Sequence, residues 1–135
     1  MARSAVLRQA YTSNGLSLDG GASFALPRLV GLARAMEIVA FERPIPSEKA
    51  LAWGLVTETT EDDHVLEAAM NMASKLAEGS LHAFGACKIL MTDSFHTGLE
   101  AQLQKERIGI STCVAHHDGQ EGVQAFLEKR RPVFG

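Results

Sequence analysis

The stretch Asp62-Asp63-His64-Val65-Leu66-Glu67-Ala68-Ala69-Met70-Asn71-Met72-Ala73-Ser74-Lys75-Leu76-Ala77-Glu78-Gly79 sets the class of the fold. Val65, Ala68, Ala69, Met72 and Leu76 recur at three- and four-residue intervals, the period of an amphipathic helix. Asp62 or Asp63 can cap its start, and Gly79 closes it. Downstream, Ser80 opens a second helix to about Phe95, with Ala83, Cys87, Leu90 and Met91 as its apolar face. Thr97 opens a long third one carrying Leu99, Leu103, Ile110 and Val114. Asp118 and Glu121 have the offset of a capping box before Val123, Phe126 and Leu127, and Pro132 follows the last turn.

Upstream the same reading gives a short helix over Ala22 to Leu29, disturbed by Pro27. A better one follows over Leu32 to Phe41, with Ala35, Met36, Val39 and Ala40 on one side, and Pro44 and Pro46 stop it. Ser47 is the expected N-cap of Glu48 to Trp53, which Gly54 ends. The glycine-rich run Asn14 to Gly21 reads as loop. Ala5 to Tyr11 reads as a short extended segment, and the β-branched Leu55 to Thr60 is the best strand candidate. The expectation is a mainly α chain with one or two short β-strands. A lone strand near the beginning leaves backbone groups unpaired, which predicts that a partner chain or a preceding N-terminal portion completes the fold.

The chain has 135 residues, with 13 Lys plus Arg against 16 Asp plus Glu and a formal net charge of −3. That balance argues against general binding to nucleic acid or to anionic membranes, which requires clustered cations. Leu29 to Phe41, the most apolar run, is interrupted by Arg34 and Glu37, so no membrane span is expected. Cys87 and Cys113 make no disulfide framework. The opening residues carry no signal-peptide pattern, and a cytoplasmic location is expected.

Asp19 is the first candidate for chemistry. It lies between Leu18 and the pair Gly20-Gly21, where a narrow, partly dry loop would raise its pKa toward a useful base value and the glycines would let substrate approach the backbone. The competing reading is an N-cap or turn residue kept ionised by the helix terminus. His116 and His117, if consecutive on one helix, diverge by about 100°, so no metal site is expected. Cys87 and Cys113 read as small apolar residues. Lys129, Arg130 and Arg131 complement the last helix dipole or grip an anion, with Phe126 three residues earlier as an apolar wall.

Four ordered motifs then resemble the enoyl-CoA hydratase/isomerase (crotonase) superfamily. They are Ala10-Tyr11-Thr12-Ser13-Asn14-Gly15-Leu16-Ser17-Leu18-Asp19-Gly20-Gly21 running on to Leu26-Pro27-Arg28-Leu29-Val30-Gly31, then Arg34-Ala35-Met36-Glu37, then Ala50-Leu51-Ala52-Trp53-Gly54-Leu55-Val56, and the ending Glu121-Gly122-Val123-Gln124-Ala125-Phe126-Leu127-Glu128-Lys129-Arg130-Arg131-Pro132. The resemblance implies the C-terminal half of a ββα-spiral fold. Residues 1–60 would be the last part of the spiral core, and 61–135 a helical region that builds trimers or hexamers.

It also implies an acyl-CoA thioester as substrate, with no further cofactor. Two backbone N–H donors to the thioester oxygen and the first hydratase glutamate would belong to the preceding half. The second glutamate would fall eight residues before Asp19, where this sequence has Tyr11. Asp19 matches the catalytic aspartate of isomerase-type members, and Phe126 and Lys129 match positions that reach coenzyme A. The resemblance therefore implies a double-bond isomerase with Asp19 as proton shuttle and Gly20, Gly21, Phe126 and Lys129 at the substrate, completed by an N-terminal half-chain or by self-assembly. The alternative is a non-catalytic remnant that keeps the oligomerisation helices.

Overall fold

A computed structural model describes all 135 residues, Met1–Gly135. The protein has seven α-helices and one two-stranded sheet, arranged as two compact units, Met1–Ala69 and Met70–Gly135. The mainly α expectation holds.

In the first unit, β1 (Val6–Leu7) pairs antiparallel with β2 (Ile45–Pro46), in the register Val6 opposite Pro46 and Leu7 opposite Ile45. The partner strand thus comes from the segment between Pro44 and Ser47, where the sequence suggests only a helix stop. Pro46 is tolerated because a two-stranded sheet has only edges. The expected strand over 55–60 is reduced to one parallel bridge, Ala2 to Thr60. Only the few residues from Met1 to Arg3 lie alongside it, donating from Arg3 N–H to the Thr60 carbonyl and accepting from Thr60 N–H at Met1. β-branching favours a strand only where a neighbour exists to pair with it.

Helix α1 (Ala22–Val30) accommodates Pro27, and α2 (Leu32–Phe41) follows after Gly31. Ala35 and Ile38 are the buried residues of α2, whereas Met36, expected on its inner face, is 61% exposed. α3 (Ser47–Ala52) starts on Pro46, not on a Ser47 cap, because the Ser47 hydroxyl donates to the Arg3 carbonyl at 2.7 Å. Leu26, Ala35, Ile38, Ile45 and Ala50 form the buried cluster, with Val39, Trp53 and Val56 packed against it. The carboxylate of Asp62 accepts from the Ser4 amide and hydroxyl instead of capping the next helix, and residues 62–64 form a 3-10 turn.

α4 (Val65–Ala77) runs across the division and buries none of its residues. In the second unit, α5 (Leu81–Ser94) begins on Ser80, whose hydroxyl accepts from Ala83 N–H at 3.1 Å, as the sequence predicts. α6 (Leu99–Ala115) starts at Gly98 instead of Thr97, whose hydroxyl donates to the Asp93 carbonyl. α7 (His117–Leu127) is capped by His116, not by the pair Asp118 and Glu121. Glu121 instead accepts two bonds from the Arg130 guanidinium, at 2.6 and 2.9 Å, and one from Val133 N–H.

Only six apolar residues are buried in the whole chain, while Leu66, Leu99, Phe126 and many others are more than half exposed. Truncating Ile38 to Ala should destabilise the first unit by about 2–5 kcal/mol. Trp53, the single tryptophan, packs on that cluster and reports the loss as an earlier denaturation midpoint in its fluorescence.

Candidate functional site

The loop that carries Asp19 is shaped by two consecutive left-handed residues, Gly20 at φ 57° and Gly21 at φ 82°. Only glycine enters that region without a Cβ penalty. The turn brings the Ala22 amide to the Asp19 carbonyl and lets the Gly21 carbonyl accept from Phe24 and Ala25. The start of α1 is therefore organised by backbone, and no side chain caps it. The Asp19 carboxylate is left available to other groups.

One of its oxygens, Oδ1, accepts from the Tyr11 hydroxyl at 2.7 Å. The phenol is pushed above its ordinary pKa, first because ionisation would lose this bond and then because phenolate would face a carboxylate. Asp19 itself is exposed, which corrects the expectation of a dry loop: nothing in this chain covers it. In the sequence Tyr11 stands out only as a replacement for a glutamate. The eight-residue interval to Asp19 is the available signal that the two side chains meet.

A second carboxylate, missed in the sequence, holds this loop. Glu42 is 5% exposed, sits just past α2 in a left-handed conformation at φ 48°, and binds back onto the segment after Tyr11. Its Oε1 accepts from the Thr12 hydroxyl at 2.8 Å and from the Ser13 amide at 3.1 Å, while Thr12 also reaches the Val39 carbonyl. Bonds from Ser13, then Thr12, outweigh the cost of burial and hold its carboxyl at about 2. A non-glycine residue at positive φ is uncommon, and here its side-chain bonds fix it.

The ending differs from the sequence expectation. Helix α7 stops at Leu127, and Lys129 lies beyond it at φ 55°, so Phe126 and Lys129 do not share a helical face. Arg130 is clamped between Glu121 and Glu128, whose carboxylates hold it firmly protonated, so the basic cluster is not three free cations. Phe126 is 82% exposed. His116, expected within a helix, lies between α6 and α7 with φ −74° and ψ 151°, which removes the 100° separation assumed for His116 and His117. Between α5 and α6 an apolar cavity of about 630 Å³ is lined by Leu81, Ile89, Leu90, Ile108 and Cys113.

These features fall within a fold already seen in solved enzymes. The crystal structure of an enoyl-CoA hydratase from Polaromonas sp. JS666 superposes with a TM-score of 0.92 at 32% identity, over 99% of this chain and 52% of that one. The sequence profile described as Enoyl-CoA hydratase/isomerase matches residues 1–135. A protein named "Probable enoyl-CoA hydratase" from Rhodobacter capsulatus is 41% identical over 98% of this chain and 52% of its own length. The 1,2-epoxyphenylacetyl-CoA isomerase of Escherichia coli is 33% identical over 98% and 51%. The chain belongs to the enoyl-CoA hydratase/isomerase family, and it spans about half the length of the relatives it matches. No helix is long and apolar enough to cross a membrane.

The Glu42 contacts generate a pH dependence. Its folded pKa, about 2, lies below the ordinary 4.5, so its contribution to stability is complete above about 4.5 and is lost as pH falls toward 2. Unfolding followed through Trp53 should steepen its pH dependence in that window, and Glu42→Gln should flatten it.

Proposed function

We propose that this chain is the Asp19-bearing part of an acyl-CoA double-bond isomerase. The observation that carries this reading is the Tyr11 hydroxyl on Asp19 Oδ1, at the position where family resemblance would put the second glutamate of a hydratase. Hydration by two glutamates needs one carboxylate to activate water and another to deliver a proton to carbon. A phenol whose pKa is raised and which donates to a carboxylate is a poor base for water.

Isomerisation needs one base. The free Asp19 oxygen takes a proton from C2 of a 3-enoyl thioester, and the electron pair spreads onto C4 and the thioester oxygen. The same carboxylic acid returns the proton at C4, which leaves the double bond at C2–C3. Tyr11 orients the carboxylate. The negative charge on the thioester oxygen requires backbone donors, which the family resemblance assigns to residues outside this chain, and losing one such donor costs about 10²–10³ in rate. Gly20 and Gly21 would admit the acyl group, and Phe126 and Lys129 would meet the adenine and phosphates of coenzyme A in a trimer or hexamer. The kinship with a 1,2-epoxyphenylacetyl-CoA isomerase supports the isomerase assignment. A cytoplasmic location follows the same reading.

A second reading, a non-catalytic chain that retains the assembly helices, is favoured by the wide apolar exposure of a chain about half as long as its relatives.

The test is product analysis with the protein isolated from its source together with any chain that accompanies it. A 3-enoyl-CoA should yield the 2-enoyl isomer, and Asp19→Asn, which can still accept from Tyr11, should lower turnover by about 10²–10⁴. The 135 residues alone should show negligible turnover. Formation of a 3-hydroxyacyl-CoA, or full activity in Asp19→Asn, contradicts the isomerase reading.

A further inference from the structure

The junction between α6 and α7 gathers three metal-ligating side chains. His116 leaves α6 in extended backbone and α7 begins at once. The turn is so tight that a Cβ on Gly119 would lie 1.9 Å from the Cys113 carbonyl oxygen. This closeness brings one ligating atom each of His116, His117 and Asp118 within 4.8 Å of one another. His117 Nε2 is 2.9 Å from Asp118 Oδ1, and His116 Nδ1 is 3.9 Å from Oδ2. Donor atoms around a divalent cation with bonds of about 2.1 Å are separated by roughly 3.0–4.2 Å.

The polar atoms are incompletely satisfied. Asp118 is 5% exposed; Oδ2 accepts from the Ser80 hydroxyl at 2.6 Å, but Oδ1 has no hydrogen-bond partner. The Nε2 of His117 lies 2.9 Å from Oδ1 and 3.1 Å from the Gly135 oxygen, to which it donates as N–H, and a bound cation would replace that proton. His116 Nδ1 receives only a long bond, 3.3 Å, from the Asp118 amide, so its lone pair is unprotonated and weakly engaged. His82 lies flat on His116, with ring centroids 3.9 Å apart, and fixes the orientation of that imidazole. A cavity of about 240 Å³ adjoins all three residues, closed on other sides by Gly79 and Phe134, with room for water to complete a coordination shell.

We propose that His116, His117 and Asp118 bind a divalent transition metal of the zinc type at this junction. Two imidazoles and one carboxylate form a donor set suited to Zn²⁺ in preference to Mg²⁺ or Ca²⁺. The orphaned Asp118 oxygen gains a cation, and Ser80 acts as the outer partner that orients the carboxylate. The site is independent of the Asp19 chemistry, and its role is to pin the start of α7 to the end of α6.

The test is calorimetric titration of chelator-treated protein with Zn²⁺ alone, supported by the visible spectrum with Co²⁺. Saturable binding of one ion per chain is expected. His117→Ala removes an exposed ring without disturbing the packing of α7, and it should weaken binding tenfold or more with an unchanged far-ultraviolet spectrum. His64→Ala, an exposed histidine elsewhere, should bind as the parent does. Absence of saturable Zn²⁺ binding, or equal affinity in His117→Ala, overturns the proposal.

Discussion

The carboxylate of Glu42 joins the end of α2 to Thr12 and Ser13, and the arrangement around Asp19 depends on that connection. Tyr11 precedes the two residues Glu42 holds. Asp19 follows them across a loop that ends on two left-handed glycines. One end of the loop is thus tied by hydrogen bonds and the other by backbone geometry, which fixes where the phenol and carboxylate meet. The buried cluster around Ile38 supplies the platform, since Ile38 lies one turn before Glu42 and its carbonyl accepts the Glu42 amide.

The helices are legible in the sequence because their signals are local. The extent of α2 and the Ser80 cap of α5 are set by neighbours within one or two turns and are found as read, although the inner face of α2 turns on Ala35 and Ile38 and not on Met36. The strand assignments fail where pairing is decided by distant residues: Ile45–Pro46 gains a partner in Val6–Leu7, whereas 55–60 finds only Met1–Arg3. Cap predictions fail for a related reason. Ser47, Asp62 and Glu121 each have the right residue type, but each is claimed by a longer-range partner, Arg3, Ser4 and Arg130.

The candidate site is legible in part. Asp19 and its glycines stand out through the family resemblance, but the Tyr11 contact spans eight residues and Glu42 reaches across about thirty, beyond any periodicity argument. Apolar periodicity also misleads at α4, which has the pattern of a buried helix and buries nothing within the chain. The expectation of a partner drawn from an unpaired opening strand loses that ground, because Val6–Leu7 pairs with Ile45–Pro46 within the chain.

The central claim is that Asp19 is held by a phenol and not accompanied by a second carboxylate. Tyr11 is the single tyrosine of the chain, so ultraviolet titration of its hydroxyl addresses that contact directly. The account predicts ionisation above the ordinary value near 10 in the parent protein and a clear fall toward that value in Asp19→Asn, where the facing charge is gone. The same midpoint in both proteins would contradict it.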